Sequence, residues 1–215
     1  MNAVIDNLPS YFQGFGLTFA LFLIGGIGAI ALGTVVAAMR ISPVPGLRGA
    51  AAVYTEALRN TPLTLVLFFC AIILPYLGVT LPYFIAASIG LTLYTSPFVA
   101  EALRSGVNGV PIGQAEAARS LGMGFGQSLT LVIFPQAFRM VIPPLVNVLV
   151  ALAKNTSVAG GFFVFELFTV GKKLANANGD NIIPILLGVA FFYLVITIPL
   201  GFLSARLEKK WVIAR

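Results

Sequence analysis

Long apolar stretches separated by short polar segments make up most of this chain. No Asp, Glu, Lys or Arg occurs between Asp6 and Arg40, or between Arg59 and Glu101. A helix needs about 20 apolar residues to cross a hydrocarbon layer about 30 Å thick. Residues 17–38 meet that requirement, so the pattern predicts a first transmembrane helix in this region.

The remaining pattern predicts an all-α integral membrane protein with one domain over residues 1–215. The charge-free segment after Arg59 is too long for a single span. Turn residues and interfacial aromatic side chains at 74–83 divide it into a helical hairpin, and Pro62 is a candidate bend or restart. Polar residues and prolines predict a discontinuous fourth helix. The five predicted helices cover about 14–39, 53–74, 83–105, 129–170 (broken) and 182–206.

Composition supports the membrane assignment and excludes several kinds of chemistry. The chain is 59% hydrophobic and 9% charged, whereas soluble domains carry about 25% charged residues. It has no His, one Cys (Cys70) and seven carboxylates. A disulfide framework or a cysteine metal site is therefore excluded, and we expect neither enzymatic activity nor a bound metal. The N-terminus lacks the features of a cleavable signal peptide.

The net charge of +6 is explained better by membrane topology than by nucleic acid, and we expect no nucleic-acid partner. Basic residues collect on the cytoplasmic side of membrane proteins. With the N-terminus outside and the C-terminus inside, only Lys172 and Lys173 lie outside, and Lys154 lies at membrane depth. The other ten basic residues then lie at the inner face: Arg40, Arg48, Arg59, Arg104, Arg119, Arg139, Arg206, Lys209, Lys210 and Arg215.

A polar, glycine-rich segment at 107–128 interrupts the apolar pattern. Residues 114–121 are predicted to form a short helix along the cytoplasmic surface, with Glu116 and Arg119 as polar anchors. Ala117 and Ala118 would leave its surface flat for a partner, and Gly122 permits an exit with positive φ. The alternative is an ordinary amphipathic connector. Glu116 precedes Arg119 by three positions, and Glu56 and Glu101 likewise each precede an arginine by three positions. Each such pair could meet on a helix face.

The spacing in this segment resembles the EAA loop of importer-type ABC permeases. It reads Glu116-Ala117-Ala118-x3-Gly122-x9-Val132-x-Phe134-Pro135, with Val132 and Phe134 in place of the usual Ile and Leu. The resemblance extends to five further segments, at residues 59–63, 101–106, 113–114, 135–137 and 154–157. The chain is thus similar to the permease subunit of a polar amino acid ABC importer over about residues 50–170.

This resemblance implies a type I ABC importer permease fold in a bacterial cytoplasmic (inner) membrane, surrounded by lipid. It implies a dimer of separate ATP-binding subunits that hold ATP and Mg²⁺, because this chain has no phosphate-binding loop and no cofactor of its own. It also implies a second permease subunit, identical or related, and an extracytoplasmic solute-binding protein. The 107–128 loop, with Glu116, Ala117, Ala118, Arg119 and Gly122, would couple ATP hydrolysis to alternating access.

Polar residues at membrane depth are the candidate substrate-binding groups. They are Lys154, Asn155, Thr156, Ser157 and Glu166, with Tyr94, Thr95 and Ser96 on helix three. The alternatives are a structural cation at Lys154, paired with Glu166, and helix capping or core packing for the others. Related permeases can carry Asp where this chain has Asn155, so a carboxylate that would suit a cationic substrate is absent here. Together with the nearby Lys154, this favours an acidic or amide amino acid such as glutamate or glutamine. An ion-coupled secondary amino acid transporter is the rival function.

Overall fold

The computed structural model describes residues 2–211, with side chains for residues 4–210, and over that range the secondary structure is helical. A short helix at Asn2–Ile5 precedes eight longer ones. They are α1 (Leu8–Ile41), α2 (Pro45–Arg59), α3 (Leu63–Tyr76), α4 (Tyr83–Asn108), α5 (Ile112–Ser120), α6 (Phe125–Phe162), α7 (Leu167–Ala177) and α8 (Ile182–Trp211). The predicted all-α architecture is confirmed.

Within the described residues, four helices are long and apolar enough to cross a membrane: α1, α4, α6 and α8. A fifth span results if α2 and α3 are counted as one broken span. The helix predicted at 53–74 therefore differs from the structure, because α2 and α3 meet at 102°. The break follows Asn60, since Pro62 cannot continue the hydrogen-bond ladder of the preceding turn.

The core joins α1, α3, α4 and α6 through fully buried side chains such as Leu21, Leu67, Leu91 and Leu152. Helix α1 approaches α4 closely at Gly33. A β-carbon there would lie 2.6 Å from Val99 Cβ and 2.7 Å from the Ser96 carbonyl oxygen. Small residues allow membrane helices to approach closely and so increase their van der Waals contact.

Helix α6 is irregular at both ends, whereas the sequence predicts a fourth span with one break near the membrane interior. It contains a π-helical turn at Ser128–Ile133 and ends in a 3-10 segment at Thr156–Phe162. Phe163 then takes a left-handed conformation with φ of 64°, and α7 starts at Leu167 as a separate helix. The span predicted at 129–170 thus ends earlier, and the chain between α6 and α7 is not helical.

Candidate functional site

A cavity of about 460 Å³ lies between α4 and α6. Its wall has polar groups but no charged side chain among the residues that line it. They are Tyr94, Thr95, Phe98, Asn147, Val148, Ala151, Leu152 and Asn155. A site with an apolar body and a few polar groups is typical of small-molecule binding.

Helix α4 contributes a buried polar group that has no hydrogen-bond partner. Thr95 is 3% exposed, and its Oγ1 has no partner within the described part of the chain. The neighbouring Ser96 is also buried, but its Oγ accepts from the Tyr54 hydroxyl at 2.7 Å and donates to the Leu93 carbonyl at 3.1 Å. Buried polar groups normally have partners. Of these two neighbours, Thr95 is therefore the one whose hydroxyl group keeps unused hydrogen-bonding capacity among the described residues.

Helix α6 presents Asn147, Ala151 and Asn155 to the cavity. These positions are four residues apart and therefore share one helix face. Sequence analysis included Asn155 but missed Asn147, which this four-residue spacing could have revealed. Ser204 on α8 lies behind Asn147 and donates from Oγ to Asn147 Oδ1 at 3.0 Å.

The other predicted polar residues at the end of α6 are placed differently. Lys154 is exposed and forms no salt bridge among the side chains of residues 4–210. The alternative in which Lys154 pairs with Glu166 is therefore wrong. Thr156 donates to the Ala153 carbonyl at 2.7 Å, and Ser157 donates to the Lys154 carbonyl at 2.8 Å. Both hydroxyls thus find their partners within α6 itself.

Glu166 is fully buried outside the cavity and caps α7. Its Oε2 accepts from Phe168 N at 2.7 Å and from the Tyr193 hydroxyl at 2.8 Å. Its Oε1 accepts from Thr169 N at 2.8 Å and from Thr169 Oγ1 at 3.1 Å. The carboxyl group therefore connects the start of α7 to α8. These bonds explain how a fully buried carboxyl group is tolerated here.

The 107–128 segment contains α5, close to the predicted helix at 114–121. Glu116, Ala117 and Arg119 are exposed, whereas Ala118 is buried, so the flat outer surface expected of both alanines is limited to Ala117. Gly122 has φ of +77°, as expected for the exit from this helix.

Three apolar side chains around α5 are strongly exposed, and sequence analysis missed them. They are Ile112 (77%), Leu121 (82%) and Phe125 (83%). We refer to these three side chains with Glu116, Ala117 and Arg119 as the coupling surface. Exposed apolar side chains surrounded by polar ones are typical of a protein–protein contact.

Ionic contacts occur at one end of the α1–α4 pair. Glu101 contacts Arg104, and Arg40 Nη2 lies 3.8 Å from Glu101 Oε2. The analogous pairs Glu56–Arg59 and Glu116–Arg119 are not formed among the described side chains. Arg59 instead lies with its Cζ 5.9 Å from the centroid of the Phe98 ring at the cavity wall.

A cavity that opens between two membrane-length helices, together with an exposed short helix that connects them, indicates a membrane transport subunit. A family model for the binding-protein-dependent transport system inner membrane component matches residues 29–213. The chain belongs to this family. The predicted resemblance and the predicted location in an inner membrane are therefore confirmed.

Similar proteins include bacterial permeases and a solved transporter. The glutamate transport system permease protein GluC of Corynebacterium efficiens is 40% identical over 98% of this chain and 97% of its own length. The probable glutamine ABC transporter permease protein GlnM of Bacillus subtilis is 39% identical over 98% and 99%. A crystal structure of an amino acid ABC transporter with histidines matches with a TM-score of 0.88 at 26% identity, covering 96% of each chain. The predicted permease fold is confirmed by this likeness.

Proposed function

We propose that this chain is the permease subunit of an ATP-driven importer that carries an acidic or amide amino acid across the inner membrane. The observation that carries the proposal is the cavity between α4 and α6. It opens between these two helices, and its largely apolar wall carries a few neutral polar groups, which suits a small solute with polar groups. Separate ATP-binding subunits, with ATP and Mg²⁺, drive the cycle, and an extracytoplasmic binding protein delivers the amino acid.

The charge around the cavity supports the substrate class. No carboxylate lines the wall among the described residues. Lys154 lies between the lining residues Leu152 and Asn155 on α6, and Arg59 lies against Phe98. A cationic amino acid would meet these charges without a compensating carboxylate, whereas an acidic or amide side chain would not be repelled. The names of the similar permeases GluC, a glutamate transport system protein, and GlnM, a probable glutamine transporter protein, agree with this choice.

The coupling surface supports the role of the ATP-binding partners. Ile112, Leu121 and Phe125 leave apolar area that a partner groove can cover, while Glu116 and Arg119 give polar contacts at its edge. Burial of apolar area contributes about 25 cal/mol per Å². Movement of the partner subunits then passes through α5 to α4 and α6, which precede and follow it and enclose the cavity.

A charge reversal tests the coupling role. In Glu116→Lys we expect ATP hydrolysis without uptake, or failure to assemble with the ATP-binding subunits, while the chain still inserts into the membrane. Glu56→Lys is the matched control, because Glu56 is also an exposed acidic residue with an arginine three positions later. ATPase rate and amino acid uptake are measured in proteoliposomes. Normal uptake at a normal ATPase rate in Glu116→Lys would reject the coupling role.

The substrate class is tested by competition. Unlabelled L-glutamate, L-glutamine or L-arginine is added to the assembled importer during uptake of radiolabelled L-glutamate and, separately, of radiolabelled L-glutamine. We expect the acidic and amide amino acids to compete strongly and arginine to compete weakly. A clear preference for arginine would reject the substrate class. Uptake that collapses with an ionophore and needs no ATP would instead support an ion-coupled transporter.

A further inference from the structure

We propose that Ser204 is a positioning residue that orients the Asn147 amide and thereby makes the cavity prefer a carboxylate side chain to an amide one. The inference rests on the proposed function, since it concerns the amino acid held in the same cavity. Ser204 itself does not line the cavity. It lies on α8 and is 4% exposed, so its effect on a substrate must pass through Asn147.

The hydrogen bonds of Ser204 identify its partner. Its Oγ lies 3.0 Å from Asn147 Oδ1, 3.4 Å from Glu208 Oε1 and 3.5 Å from the Pro143 carbonyl oxygen. A hydroxyl group has one hydrogen to donate. The distance to Asn147 is in the normal range for this bond, whereas the other two are long. The hydroxyl hydrogen is therefore directed to Asn147 Oδ1.

This bond determines which amide atom remains for a ligand. An Asn side chain has one carbonyl oxygen and one NH2 group with two donors. Because Oδ1 accepts from Ser204, the Nδ2 group is the one left for the cavity, and within residues 4–210 it has no other hydrogen-bond partner. The wall on the α6 side therefore offers N–H donors at this position. The Thr95 hydroxyl on α4, which has no partner within the described part of the chain, adds a further polar group.

A donor of this kind distinguishes glutamate from glutamine. A carboxylate has two acceptor oxygens, whereas an amide has one acceptor oxygen and an NH2 group that cannot accept. Hydrogen bonds to charged groups are stronger than those between neutral groups. The difference corresponds to a preference for glutamate of about tenfold. Without Ser204 the amide can turn, present Oδ1 to the ligand and lose this preference.

The test compares the assembled importer with two hydroxyl deletions on α8. Ser204→Ala removes the positioning bond. Thr197→Ala is the control, because the Thr197 hydroxyl bonds only to the Tyr193 carbonyl of its own helix at 3.0 Å. For each protein, KM values for L-glutamate and L-glutamine uptake are measured in proteoliposomes. We expect the ratio of the two KM values to shift about tenfold toward glutamine in Ser204→Ala, and not in Thr197→Ala.

A second variant tests the same idea from the side of the amide. Asn147→Asp keeps the size and the acceptor for Ser204 but removes the N–H donors. We expect it to lose glutamate uptake more severely than glutamine uptake. This comparison does not depend on the packing of an alanine at position 204.

Several results would overturn the inference. One is a wild-type importer that prefers glutamine, because Oδ1 would then face the cavity. Another is Ser204→Ala with an unchanged ratio, or with equal losses for both amino acids, as a merely structural role predicts. Either result leaves amino acid import intact. Failure of the wild-type importer to take up either amino acid would instead reject the proposed function, and this inference with it.

Discussion

The hydrogen bond between Tyr193 and Glu166 offers a sharp test of how the broken fourth span is held. Glu166 begins α7, Tyr193 lies on α8, and their side chains are joined at 2.8 Å. Both are parts of a buried contact between these helices. Tyr193→Phe removes one hydroxyl group and keeps the ring, so it changes this bond with little change in packing.

The loss of stability expected for Tyr193→Phe follows from the strength of this one hydrogen bond. Hydrogen bonds between membrane helices contribute about 0.6 kcal/mol on average and up to about 1.7 kcal/mol. This bond should lie near the upper end, because its acceptor is a fully buried carboxyl group, and hydrogen bonds to such groups are stronger. The loss is then about 1.5 kcal/mol. For a chain of this length, the apparent Tm should fall by about 3–6 °C.

Thermal unfolding of the purified complex, followed by size-exclusion chromatography after heating, measures this shift. Tyr76→Phe is the control. It removes the same kind of group, a tyrosine hydroxyl, from a side chain that is 85% exposed. Glu166→Ala should be far more damaging, since it also leaves the N–H groups of Phe168 and Thr169 without acceptors, each at about 1–3 kcal/mol. Equal Tm values for Tyr193→Phe and Tyr76→Phe would refute the reasoning.

Three further predictions concern the cavity and the helix contacts. Thr95→Val should raise the KM for uptake with little change in Tm. Ser96→Ala should instead lower Tm, because it removes the hydrogen-bond partner of Tyr54. Uptake kinetics and thermal unfolding of both variants check this. Gly33→Val should destabilise the chain by about 1–3 kcal/mol through overpacking, and Gly49→Val, at an open position, should not; Tm values compare them. Lys154→Met should reduce glutamate uptake without lowering Tm, since no ion pair is lost, and a loss of assembly would contradict this.

The local sequence pattern was sufficient to predict most of the membrane spans and the coupling segment. A charge-free apolar run long enough to cross a bilayer has few other uses, so α1 and α4 could be predicted from composition and length. The EAA-like spacing identified α5 and its exit at Gly122, because a positive φ strongly favours glycine. Pro62 indicated the break between α2 and α3, although no local signal predicted the angle of 102°.

The chemistry of the site depended on packing between helices that are distant in sequence. Local pattern cannot tell Thr95 from Ser96. The Tyr54 hydroxyl contacts Ser96, whereas Thr95 Oγ1 has no partner among the described residues. Nor does local pattern show that Glu166 meets Tyr193 rather than Lys154. A helix's residue types determine whether it can enter the membrane, but its rotation and its neighbours determine which polar groups are satisfied. Those partners come from other helices, so the ones left free for a ligand emerge only when the bundle is assembled.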